Sequence, residues 1–146
     1  SDIINHVNDG IELAQHANMP SVVVDFIRTH HGTTLVSFFY DKFVNAGGDP
    51  SLKEDFRYTG GKPHSKEQII LMICDTVEAA SRTLKSYDSE TFDAFVENIV
   101  SSKMEQGQFD QADITLREIG IVKSVLKSHL AQIYHERIAY PNRKIN

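Results

Sequence analysis

The chain has 146 residues, 40% hydrophobic and 24% charged, the length and balance of one globular domain able to bury a core. Its longest apolar run, Ile69 to Cys74, falls far short of the roughly 18 residues that cross a bilayer, and a net charge of −5 argues against duplex DNA or RNA as a partner. The single cysteine precludes an internal disulfide, and no basic-then-apolar leader is evident, so a reducing, cytoplasmic setting is expected.

The pattern along the chain is all-α, with no repeat and no linker that would divide it, and residues 1–146 are read as a single domain. Residues 2–17 carry Ile4, Val7, Ile11 and Ala14 at helical spacing. A second helix is expected after Met19, with Pro20 in its first turn, Val23, Phe26, Ile27 and His30 on one face, and Gly32 ending it. A third, from about Thr34 to Asn45, holds Leu35, Phe38, Phe39 and Phe43 and stops at Gly47-Gly48. Three capping-box patterns follow: Ser51/Glu54 opening a short turn, Ser65/Gln68 a helix to about Leu84, and Thr115/Glu118 a long helix to about Ile138, before Pro141. Between the last two, Phe92, Phe95, Val96, Ile99 and Val100 mark a helix over 89–105. About five substantial helices and no strand are predicted.

Chemistry concentrates at few places. His30-His31 sits at a helix C-terminus, where neutral imidazoles can bind a transition metal or simply cap the helix at the surface. His6 lies one turn before Gly10, a position that lets another group approach; it reads either as a third ligand or as a structural histidine. Asp75 ends the apolar run of a helix that reads as passing through the core, where a carboxylate needs a cation or several donors. The competing reading places Asp75 on a solvated stripe with Glu67, Glu78 and Arg82. Residues 57–85 hold five Lys or Arg against three Asp or Glu, and the loop from Phe56 to Lys66 packs Arg57, Lys62 and Lys66 around Gly60-Gly61 before a helix start. That loop reads equally as an anion site or as an ordinary well-capped connection. It is not a Walker loop, Cys74 reads as a small core residue, and no serine-hydrolase, Cys-x-x-Cys or zinc-protease pattern is present.

Several motifs in order carry a resemblance: His30-His31-Gly32-Thr33-Thr34-Leu35 with Phe38-Phe39-Tyr40, then Phe56-Arg57-Tyr58 to Lys62-Pro63, then Lys66-Glu67 leading to Asp75-Thr76-Val77-Glu78-Ala79-Ala80-Ser81-Arg82. Gly107-Gln108-Phe109-Asp110, Ile114-Thr115-Leu116 and the stretch Tyr134 to Pro141 continue it. Over nearly its whole length the chain resembles the cytoplasmic HD domain of the bacterial seven-transmembrane HD-family hydrolases. The resemblance implies an all-α HD-type bundle and a metal-dependent phosphodiesterase that converts cyclic di-AMP to a linear dinucleotide with two transition-metal ions, iron or manganese. It implies His6, His30 and His31 as ligands of one metal and Asp75 of the other, with Lys66, Arg82 and Arg57 as phosphate contacts or supports of the ligands. No catalytic group beyond the metal ligands is implied. The parent protein is implied to sit in the inner membrane with this domain in the cytoplasm.

The family pattern also places a histidine and a His-Asp doublet upstream of His6, which only five residues precede, and none of the seven histidines here is followed by aspartate. The chain is therefore expected to be the C-terminal part of an HD domain, inactive alone, binding at most one ion weakly and prone to self-association through bare apolar faces. A non-catalytic HD-like module that senses a nucleotide or partner is the alternative from a different class.

Overall fold

A computed structural model describes residues 2–139, with side chains described to residue 135. It contains six α-helices among those residues: Asp2–His16 (α1), Ser21–Thr29 (α2), Ser37–Asn45 (α3), Lys66–Ser81 (α4), Ser89–Glu105 (α5) and Leu116–Ala139 (α6), with a 3-10 segment at Pro50–Phe56 between α3 and α4. Tyr140 and Pro141, part of the sequence pattern above, lie outside the described residues.

The core belongs to the last three helices. Ile69, Met72, Ile73 and Val77 of α4 interlock with Phe92, Val96 and Val100 of α5 and with Ile119, Leu130 and Tyr134 of α6, and Phe109 closes the α5–α6 connection. Tyr134 adds a polar tie, its hydroxyl donating to the Ser81 carbonyl at 2.9 Å, while its ring stacks on Tyr87 and Phe92. On the surface Glu97 of α5 accepts from Lys123 and Lys127 of α6 at 2.8 and 2.9 Å. By contrast α1 and α2 form a pair that meets the core through α2 against α4, burying Val7, Ala14, Val24 and Thr29. No residue of α3 is buried, and Phe38, expected on its apolar face, is 70% exposed.

Helix starts follow their capping chemistry at two of the three expected boxes. Ser65 accepts from the Gln68 N–H, and Thr115 and Glu118 satisfy each other's backbone N–H groups reciprocally. At the third, Asp49 rather than Ser51 is the cap, its carboxylate accepting from the Ser51 N–H at 2.9 Å. The predicted start of α3 is corrected by three residues. Residues 34–36 pair instead with 56–58 in an antiparallel bridge between Leu35 and Arg57, the Val36 N–H donating to Phe56 O and the Tyr58 N–H to Thr34 O.

Candidate metal centre

Three imidazoles from two helices converge. His6 projects from α1, His30 caps the C-terminus of α2 and His31 follows it. One ring nitrogen from each lies within 4.8 Å of the others, the one such cluster of metal-binding side chains among the described residues. The Nδ1–H of His6 donates to the carbonyl of Ile3, and that of His30 to the carbonyl of Ile27 at 2.5 Å. A carbonyl only accepts, so both Nδ1 atoms hold the proton and both Nε2 atoms are left with a lone pair in the neutral ring. Those two Nε2 atoms face each other at 3.4 Å. Two lone pairs so placed repel unless a cation lies between them, and a separation of about 3 to 3.5 Å is what two imidazoles sharing one first-row metal ion adopt. The donor set thus fits a transition-metal ion.

His31 completes the trio with its ring stacked on Tyr58 at a centroid distance of 4.4 Å. Burial first, and then the positive charge that His30, His6 and Lys103 carry when protonated, push its pKa down to about 3. It is therefore neutral and available as a ligand across the ordinary pH range. Its Nδ1 stands 3.8 Å from Oδ2 of Asp75. With a neutral ring at that distance the contact is neither an ion pair nor a direct hydrogen bond, but it brings the carboxylate to the edge of the cluster. Asp75 and His30 also face a common cavity of about 260 Å³ walled by Val23, Phe26, Ile27 and Leu71, between α2 and α4. The Asp75 side chain remains 41% exposed but turns toward this cavity and His31, whereas Glu78 and Arg82 of the same sequence stripe pair with each other at the surface.

The turn that presents His30 and His31 is built for its shape. Gly32 has φ +56°, and a β-carbon there would come within 2.3 Å of Gln108 Oε1 and 2.8 Å of Met72 Cε. Gln108 is fully buried; its Oε1 accepts from the Thr33 N–H at 3.0 Å and its Nε2 donates to Thr33 Oγ1 at 3.0 Å. The Thr34 hydroxyl donates to the His31 carbonyl at 2.8 Å. The space left beside Gly10 is taken by Ile27 of α2.

The three cations named with the ligands are placed elsewhere. Arg57 donates to both oxygens of Glu54 at 3.0 Å, Arg82 to Glu78 at 2.6 Å and Lys66 to Glu118 at 3.1 Å. The structure brings His6, His30, His31 and Asp75 together and leaves Lys66, Arg82 and Arg57 in surface ion pairs. The loop from Phe56 to Lys66 is held instead by Gly60, where a β-carbon would stand 1.8 Å from the Arg28 carbonyl oxygen at the end of α2. What sequence reasoning missed are Tyr58 and Gln108, quoted only as parts of a motif, and Lys103, not singled out at all. Burial, with the Asp75 charge second, pushes the Tyr58 phenol up, so it stays a hydroxyl; burial pulls the Lys103 ammonium down, opposed by Asp75. Tyr58, Asp75, His31 and Lys103 thus share one electrostatic neighbourhood.

No family model matches the chain. It is 40% identical over 139 residues to cyclic-di-AMP phosphodiesterase PgpH of Bacillus subtilis, covering 95% of this chain and 19% of that protein. To the protein of the same name from Listeria monocytogenes it is 39% identical over 143 residues, covering 97% of this chain and 20% of the relative. The chain therefore spans about a fifth of the length of these curated relatives. The crystal structure of the L. monocytogenes PgpH HD domain superposes with a TM-score of 0.83 at 36% identity, covering 91% of this chain and 62% of that one. The same domain in complex with cyclic-di-AMP gives 0.86 at 39%, covering 94% and 64%. In sequence and fold the chain is homologous to the HD domain of PgpH-type phosphodiesterases and matches somewhat less than two thirds of it.

Proposed function

We propose that this chain is the imidazole-bearing part of a metal-dependent HD phosphodiesterase that opens cyclic di-AMP to a linear dinucleotide. The observation that carries the reading is the pair of Nε2 lone pairs of His6 and His30 facing each other at 3.4 Å, with His31 completing the cluster, on a fold shared with a domain solved in complex with that dinucleotide. His6, His30 and His31 hold one ion and Asp75 is a ligand of the second; mixed nitrogen and oxygen ligation suits transition metals, and the resemblance in sequence implies iron or manganese. When bound, such ions would lower the pKa of an attacking water and offset negative charge on the phosphoryl oxygens. The chain's own contribution is to orient the ligands. The Ile3 and Ile27 carbonyls fix the tautomers of His6 and His30, burial keeps His31 neutral, and Tyr58 holds the His31 ring from one face.

The longer relatives and the resemblance in sequence support a parent protein embedded in a membrane with this domain on its cytoplasmic side. No described helix of the chain itself is long and apolar enough to cross one. The test is metal analysis and cyclic di-AMP turnover of the encoded polypeptide that contains this segment, as purified and after loading with Mn²⁺. Metal-dependent formation of the linear dinucleotide, lost in His6→Ala and Asp75→Ala, is the expected result. Turnover unaffected by chelation, or by both substitutions, overturns the proposal.

A further inference from the structure

Lys103 lies in the last turn of α5, half-buried, with its side chain in a cavity of about 340 Å³. The walls of that cavity come from three places. Thr34, Leu35 and Ser37 follow closely on the His30-His31 turn, Thr76 is the neighbour of Asp75 on α4, and Asn98 and Ser102 belong to α5, with Gln106 just after its end. Hydroxyl and amide groups share the lining with Leu35, Phe95 and Ile99.

No carboxylate of a described residue stands within ion-pair distance of Lys103, unlike Arg57, Lys66, Arg82, Lys123 and Lys127, each held by a glutamate. Yet its charge acts on His31, and the charge of Asp75 acts on it. A half-buried ammonium with no carboxylate in ion-pair range is costly to keep, and here its cavity is lined by Thr34 and Thr76, close in sequence to His31 and Asp75. The chemistry that satisfies it is a compact anion entering this cavity. An ammonium provides three donors as a point charge, suited to a phosphate oxygen. The apolar cavity across Asp75 offers no such partner.

We propose that Lys103 is the phosphate-holding cation of this site, its Nζ donating to a non-bridging oxygen of a substrate phosphodiester lodged beside His31 and Asp75. This rests on the phosphodiesterase reading for the identity of the substrate, though not for the existence of the anion site. It assigns to Lys103 the role that sequence pattern alone gave to Lys66, Arg82 and Arg57.

Lysine side chains labelled with ¹⁵N and ¹³C report on it directly in the chain loaded with diamagnetic Zn²⁺, the Lys103 resonance being assigned from Lys103→Met. Inorganic phosphate and cyclic di-AMP are titrated in separately, and both are expected to move that resonance. By calorimetry Lys103→Met weakens cyclic di-AMP binding about tenfold or more, as loss of a charge-assisted hydrogen bond does, whereas Lys103→Arg retains most of it. The Met variant melts no lower than the parent, because a buried charge has been replaced by an apolar chain of similar length. Movement with phosphate in a chain that ignores cyclic di-AMP keeps the anion site and removes the phosphodiesterase reading. Cyclic di-AMP bound as tightly by Lys103→Met as by the parent, or a Lys103 resonance that ignores both ligands, overturns the assignment.

Discussion

The two halves of the molecule divide stability from chemistry. Helices α4 to α6 share a continuous buried cluster from Ile69 to Tyr134, whereas α1 to α3 bury little beyond Val7, Ala14, Val24 and Thr29. All three clustered imidazoles belong to the thinly packed half, and His6 is exposed. Positioning there does not come from deep burial. It comes from short-range carbonyl contacts at Ile3 and Ile27 and from one long-range clamp, Gln108 on Thr33, that ties the imidazole turn to the core half. A ligand set can be held by a few directional bonds where an apolar core supplies the rest of the fold.

That division can be broken from either side. The largest effect is expected from Ile73→Ala, which opens a void in the α4–α5–α6 core and costs about 2–5 kcal/mol in urea unfolding; a cost near zero would mean that the core is shared with α1–α3. His6→Ala is expected to do the opposite. Stability stays within about 0.5 kcal/mol because the side chain is exposed, while Mn²⁺ affinity, read by calorimetry, falls by about a hundredfold as one of three ligands is lost. Gln108→Ala probes the link between the halves. It leaves the Thr33 N–H without its buried acceptor, costing about 1–3 kcal/mol, and lowers metal affinity about tenfold although it touches no ligand. A variant that loses stability while keeping full metal affinity would show that the clamp serves the fold alone.

The smallest effect concerns pH and the core half only. Hydrogen bonds from Lys123 and Lys127 hold the Glu97 carboxyl below its ordinary 4.5. The folded chain therefore takes up this proton less readily than the unfolded one. The contribution is fully present above pH 4.5 and is lost as pH falls through the lower folded value. Melting curves between neutral and acidic pH should show a shallower decline in Glu97→Gln than in the parent, with metal binding at neutral pH unchanged. The effect is modest because Glu97 is 44% exposed.

What was legible in the sequence was local. Capping at Ser65 and at Thr115 acts over three residues and helical spacing over four, so α4, α5 and α6 were read nearly to their ends. The start of α3 was misplaced because pairing of 34–36 with 56–58 is a contact across the chain that overrides local helical preference. The same holds at the site. His30-His31 at a helix end, His6 before Gly10 and Asp75 at the end of the apolar run stand out in the sequence; the structure clusters the three imidazoles and sets Asp75 3.8 Å from His31. Arg57 and Arg82 sit three and four residues from the glutamates that engage them, a spacing visible in advance, but Lys66 meets Glu118 from 52 residues away. Thr33 and Gln108 are 75 apart. Nor could spacing place Lys103, since its neighbours come from three separate stretches.

The contact at Gly60 reaches further than its size suggests. Because the Arg28 carbonyl of α2 fills the place of a β-carbon, any side chain there would lever the preceding segment, and Tyr58 with it, off the face of His31. A library randomising residues 57–66 and selected for metal retention should therefore return varied cations but a single solution at position 60.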